Sequence, residues 1–227
     1  MPLDIPRIRA LCFDVDGTLS DTDDQFVAKF VRLLTPFKFL FPEKNPLSFA
    51  RKLVMFTEAP GNFLMGIPDK LHIDDEIAAV GDYFFRRGHS QKAGGFLLIP
   101  GVTEALTKLN PYFPMSVVSA RGGRSTQIFL DQYHLNPFFK AIATAHTCEY
   151  TKPYLDPIIW AAAQMGVSSE ECLMIGDTTV DIRAAKAAGT QSVGVLCGFG
   201  EEVELRESGA DLILQSTAQL PQVLLGE

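Results

Sequence analysis

At 227 residues, with 47% hydrophobic and 21% charged side chains, the chain can bury a sizeable core, as one large domain or as one domain plus an insert. Its formal net charge of −7 argues against nucleic acid or an anionic membrane surface as the default partner, and no apolar run approaches the length of a membrane span. The N-terminus lacks the basic start and long apolar core of a secretory signal, and Cys12, Cys148, Cys172 and Cys197 show no metal-type spacing. The expected location is therefore the cytosol, with the thiols acting as small hydrophobes.

In chain order, residues 10–13 (ALCF) form a short apolar run that reads as a buried strand of a parallel sheet. The run stops at Asp14-Val15-Asp16-Gly17-Thr18. Two carboxylates one residue apart at a strand end raise one another's pKa unless a cation or a hydrogen-bond network offsets the repulsion. Asp and Gly also favour turns, so the pentapeptide taken alone reads equally well as an Asp-rich turn. Residues 21–41 carry Phe26, Phe30, Leu33 and Leu34 at helical spacing, and the acidic run 21–24 suits a solvated helix start. From 41 to 95, helical segments at 47–57 and 74–87 alternate with loops bearing Pro and Gly, which predicts an all-helical insert with Gly94-Gly95 as its exit hinge.

Beyond residue 95 the pattern becomes strand, turn, helix. Helices are predicted at 101–109, 125–133, 156–165 and 181–188, and strands at 115–119, 141–147, 172–175, 192–196 and 210–214. This alternation predicts an α/β, Rossmann-like three-layer core with a mainly parallel sheet. Ligands of such sheets bind outside the carboxyl ends of the strands. That rule selects Asp14, Asp16, Ser119 and Asp177, with Lys152 in a loop before a helix and Asp181 one helical turn beyond Asp177. Clustered carboxylates suit Mg²⁺, and a hydroxyl together with a lysine suits a phosphoryl group. An ionised Asp held beside both can act as a nucleophile. Arg121 and Arg124 read as surface residues at a helix start, with Arg121 a minor phosphate-binding candidate. His72, His89, His134 and His146 fall in no motif.

The segments Phe13-Asp14-Val15-Asp16-Gly17-Thr18-Leu19, Ser119, Lys152-Pro153 and Gly176-Asp177-Thr178-Thr179-Val180-Asp181 occur in an order that resembles the haloacid dehalogenase superfamily, in its phosphatase branch with an α-helical cap. The resemblance covers essentially the whole chain, and the block at 21–95 is its least characteristic part. It implies a core of 1–20 and 96–227 with a cap at 21–95. It further implies that Asp14 is the nucleophile and a Mg²⁺ ligand, and that Asp16 is the general acid/base and a ligand through its backbone carbonyl. Ser119 and Lys152 would bind the phosphoryl group, Asp177 and Asp181 the metal, while Thr18 and Gly17 order the phosphate-binding loop. Two departures stand out: Ala120-Arg121 follows Ser119 where the family often has Asn, and Tyr154 follows Lys152-Pro153. The resemblance also implies that an Asp at position 16 disfavours C–halogen and C–P chemistry, since dehalogenases and phosphonatases lack it.

The implied activity is a Mg²⁺-dependent phosphatase acting through an aspartyl-phosphate on a small phosphorylated metabolite, with neither nucleic acid nor membrane as partner and the oligomeric state left open. A phosphomutase of the β-phosphoglucomutase type and an inert binding module share the same fold. Substrate choice is expected in the cap, where Glu58, Asn62, Lys70, His72, Arg86, Arg87 and His89 are candidates, each more often a solvated side chain than a ligand.

Overall fold

The computed structural model describes residues 3–21 and 96–226. Apart from Asp21, the predicted cap and all its substrate-contact candidates lie outside the described residues. Six strands form one sheet: β1 (Ala10–Phe13), β2 (Met115–Val118), β3 (Phe139–Ala143), β4 (Cys172–Gly176), β5 (Gln191–Val195) and β6 (Leu212–Leu214). Their order is β3-β2-β1-β4-β5-β6 and every pairing is parallel, so the expected Rossmann-like α/β sheet is realised with β1 at its centre. The helices are α1 (Val102–Leu109), α2 (Gly123–Gln132), α3 (Asp156–Met165), α4 (Thr179–Ala187), α5 (Glu202–Ser208) and α6 (Leu220–Leu225).

A central parallel strand has both faces covered, and β1 shows why an unbroken apolar run is required there. Leu11 and Phe13 point to one side, where they join Val117, Leu173, Ile175, Phe129 and Leu106. Ala10 and Cys12 point to the other, against Ala161 and Ala162 of α3 and Ala184 and Ala185 of α4. The alanines keep those two helices close to the sheet. Each large apolar side chain fully buried here contributes about 1.5–3 kcal/mol. The strand that ends in Asp14 is therefore held from both faces by its own residues.

Several boundaries differ from the sequence expectation. The strand predicted at 141–147 is β3, Phe139–Ala143, because residues 144–147 close a turn in which the Thr144 N–H donates to Thr147 Oγ1 (2.8 Å) and the Thr147 N–H to the Thr144 carbonyl (3.0 Å). Helix α4 begins two residues before the predicted start, since Asp181 caps it from within its first turn. The helix predicted at 156–165 has those bounds, and Gly166 ends it in the left-handed region. Helices α5 and α6 were not predicted. They are only seven and six residues long, too short for a periodic apolar pattern to show.

Candidate active site

Strand register sets the frame. Phe13 is paired with Val117 of β2 and Ile175 of β4, so the residues that follow these strands emerge together at one rim. The Asp14 N–H extends the ladder by donating to the Ile175 carbonyl (2.9 Å). Asp14, Ser119 and Asp177 thereby leave three neighbouring strands, and Lys152 and Asp181 reach the same point from the loop before α3 and from the first turn of α4. All five are buried.

Lys152 sits between two carboxylates, donating through Nζ to Asp14 Oδ1 at 2.7 Å and to Asp181 Oδ1 at 2.5 Å. The other Asp181 oxygen, Oδ2, accepts from the Thr178 N–H (3.0 Å) and from Thr178 Oγ1 (2.8 Å), which fixes the side chain as part of the helix cap. Asp177 Oδ2 accepts from the Phe199 N–H (2.8 Å). Asp177 Oδ1 is buried and has no hydrogen-bond partner among the described residues. Carboxylate oxygens of Asp14, Asp177 and Asp181, one from each, lie within 4.8 Å of one another.

The electrostatics follow from this crowding. Burial pushes the Asp14 carboxyl up to about 7, with the Asp181 and Asp16 charges adding to the rise and Lys152 opposing it. Burial likewise holds Asp177 well above the ordinary carboxylate range, reinforced by the charges of Asp181 and Asp14. For Lys152, burial favours the neutral amine, but the flanking Asp14 and Asp181 outweigh it and hold the ammonium above its usual range. Among the described residues, three buried carboxylates share one lysine, which leaves them under-neutralised. An orphaned buried oxygen facing two other carboxylates is where a cation resolves the cost. A hard, all-oxygen donor set fits a divalent cation, with Asp14, Asp177 and Asp181 as the residues that could hold it.

The Asp14–Ser20 loop is tightly built. The N–H groups of Thr18, Leu19 and Ser20 all donate to the Val15 carbonyl (3.3, 2.9 and 2.8 Å), and Gly17 adopts φ 70°. Thr217 Oγ1 donates to the Thr18 carbonyl at 2.7 Å, and the Cys197 thiol to the Gly17 carbonyl at 3.3 Å. Thr18 itself is fully buried. Immediately beyond, the Asp21 N–H donates to the Leu97 carbonyl (2.8 Å) and the Ile99 N–H to the Leu19 carbonyl (3.0 Å). The chain thus departs at Asp21 and returns at Phe96 side by side, at the rim just above Asp16.

Asp16 stands apart from the carboxylate cluster. It is bound at both oxygens by Arg121: Nε donates to Oδ2 at 2.9 Å, and Nη2 donates to Oδ1. The expectation that Arg121 is a helix-start surface residue is therefore corrected, since its side chain is 11% exposed and turned inward. Arg124 is exposed, as expected. Sequence reasoning also missed Gly198-Phe199-Gly200, which wraps Asp177. A Cβ at Gly198 would collide with the Asp177 carboxylate, and the Phe199 amide holds Oδ2. The same strand-end rule that selected Asp177 could have found it, because the tripeptide follows β5 at the same rim.

The fold and site together define a Rossmann-like α/β protein with an acidic, cation-ready centre at the carboxyl ends of its strands. The chain belongs to the haloacid dehalogenase-like hydrolase family, whose model matches residues 11–195. It is 30% identical over 128 residues to a phosphoglycolate phosphatase of Nitrosococcus oceani, an alignment covering 56% of this chain and 57% of that relative's length. It is 26% identical to pyrophosphatase PpaX of Anoxybacillus flavithermus over 219 residues, which cover 96% of this chain and 97% of the relative. In fold it is similar to a hydrolase from Pseudomonas syringae at a TM-score of 0.69 and 23% identity, covering 96% of this chain and 98% of that one.

Proposed function

We propose that this hydrolase is a Mg²⁺-dependent phosphatase that transfers the phosphoryl group of a small phosphorylated metabolite to Asp14. The observation that carries the reading is the buried Asp14–Lys152–Asp181 bridge beside the unpartnered Oδ1 of Asp177. A bound cation neutralises such a centre with its carboxylates ionised, and together they can receive a phosphoryl group. Relatives named phosphoglycolate phosphatase and pyrophosphatase supply the substrate chemistry to try first.

Each residue then has a defined task. An oxygen of the Asp14 carboxylate attacks phosphorus, forming an aspartyl-phosphate, while the ester oxygen departs with a proton from Asp16. Water then attacks that phosphorus and returns a proton to Asp16, releasing orthophosphate and restoring Asp14. Lys152 keeps Asp14 ionised in a buried site and offers a compact charge to the phosphoryl oxygens. Ser119 supplies a hydroxyl donor, and Gly17 and Thr18 hold the loop that carries Asp16. Asp14, Asp177 and Asp181, with the Asp16 carbonyl, would hold a divalent ion, which would supply charge neutralisation for the transferring group. Residues 1–20 and 96–227 form the catalytic domain in this reading, and 21–95 form a cap that sets specificity. The paired chain exits at Asp21 and Leu97 support that arrangement, because they put the insert's two ends beside Asp16. The four free cysteines are in keeping with a cytosolic location.

Phosphate release with Mg²⁺ across phosphoglycolate, hexose phosphates, nucleotides and pyrophosphate tests the activity. Asp14→Asn is expected to abolish turnover while the protein stays folded, and retained Mg²⁺-dependent release in that variant would remove Asp14 from its role.

A further inference from the structure

Arg121 has a construction that the scheme above does not use. Its guanidinium forms a two-pronged contact with both oxygens of Asp16, the planar fork by which arginine recognises carboxylates and phosphates. The fork has support independent of Asp16. Its Cζ lies 4.7 Å from the centre of the Phe96 ring, and the Arg121 N–H donates to Ser119 Oγ at 3.1 Å. Phe96 is in turn fixed to α2. Its carbonyl accepts from Tyr133 Oη (2.7 Å) and Gln132 Nε2 (3.1 Å), and its ring packs edge-on against Phe129. The Asp16 side chain is the more exposed partner, 23% against 11% for Arg121, whereas Lys152 is 3% exposed and bound to two carboxylates. Among the described residues of the site, four carboxylates face these two cations.

We propose, resting on the phosphatase reading, that Arg121 is a substrate-binding arginine whose fork Asp16 occupies until an oxyanion of the substrate displaces it. The oxyanion is a phosphoryl oxygen pair or a carboxylate elsewhere on the ester. Displacement does two things at once: the guanidinium, already carried on Phe96, grips the incoming anion, and Asp16 is freed to turn toward the leaving oxygen.

A double-variant cycle tests this. Orthophosphate binding with Mg²⁺ present is measured by calorimetry for the wild type, Asp16→Asn, Arg121→Ala and the pair, with Arg121→Lys replacing Arg121→Ala should the latter fail to fold. If Asp16 competes for the fork, Asp16→Asn tightens orthophosphate binding by about tenfold when Arg121 is present and by much less when it is absent. If Arg121 merely neutralises Asp16, the order reverses, because removing an unneutralised charge helps more. A second arm compares KM for phosphoglycolate and for ethyl phosphate in Arg121→Ala. A rise confined to phosphoglycolate assigns the fork to the carboxylate, and a rise on both assigns it to the phosphoryl group. The proposal is overturned when that order reverses, or when neither the tightening nor a KM rise appears. Absence of turnover by the wild type on any ester would instead remove the phosphatase reading, leaving the orthophosphate cycle to judge Arg121 by itself.

Discussion

Replacing Lys152 by methionine removes one positive charge from between two buried carboxylates while keeping the length and most of the volume of the stem, so the loss reports charge rather than a cavity. Breaking a buried ion pair by removing one partner costs about 3–5 kcal/mol, because the other charge is left uncompensated. At roughly 2–4 °C per kcal/mol for a chain of this size, the melting temperature at pH 8 in a chelator falls by about 10 °C. The pH dependence has a definite sign. Burial pushes the Asp14 carboxyl of the folded protein up to about 7, well above the ordinary carboxylate range. A carboxyl raised on folding binds its proton more tightly in the native state, so its contribution to stability declines as pH rises from the unfolded to the folded value. Near pH 5 Asp14 is protonated with or without Lys152, and the penalty of the substitution shrinks by roughly half. Thermal melts of wild type and Lys152→Met in chelator from pH 5 to 8 read this directly. A melting difference under about 2 °C, or one independent of pH, would refute the claim that Lys152 works as the counter-charge of Asp14.

Two further substitutions probe the shell. Gly198→Ala places a Cβ against the Asp177 carboxylate, so the Mg²⁺ concentration needed to raise the melting temperature should increase by about tenfold, and an unchanged Mg²⁺ titration would show that Asp177 is not held by this loop. Thr217→Val removes the donor to the Thr18 carbonyl without changing shape. A cost of about 1–3 kcal/mol in denaturant unfolding is expected, and a neutral result would mean that the carbonyl finds another donor.

How far the sequence could be read depended on distance along the chain. Local grammar exposed β1, because a run buried on both faces must be apolar throughout, and it exposed α3, whose end is marked by Gly166. The candidate site residues were legible for a different reason. In a parallel sheet every strand end points to one rim, so finding where strands stop is enough to find Asp14, Ser119 and Asp177. Arg121 was misread because a cation two residues past a strand end has no local signature separating a solvated helix start from a side chain turned inward. Turned toward Asp16, the Arg121 guanidinium lies over Phe96, a residue distant from both in sequence.

Periodicity and chain order alone carried the sheet class, the strand ends at Asp14, Ser119 and Asp177, and the set of acidic groups. How the charges pair is a product of the three-dimensional packing. It put Lys152 between Asp14 and Asp181, left Asp177 with an open oxygen, and gave Asp16 to Arg121. Pairing depends on distances of a few ångströms between residues as far apart in sequence as Asp14 and Lys152. Those distances are set by strand register and helix packing, which no local pattern encodes.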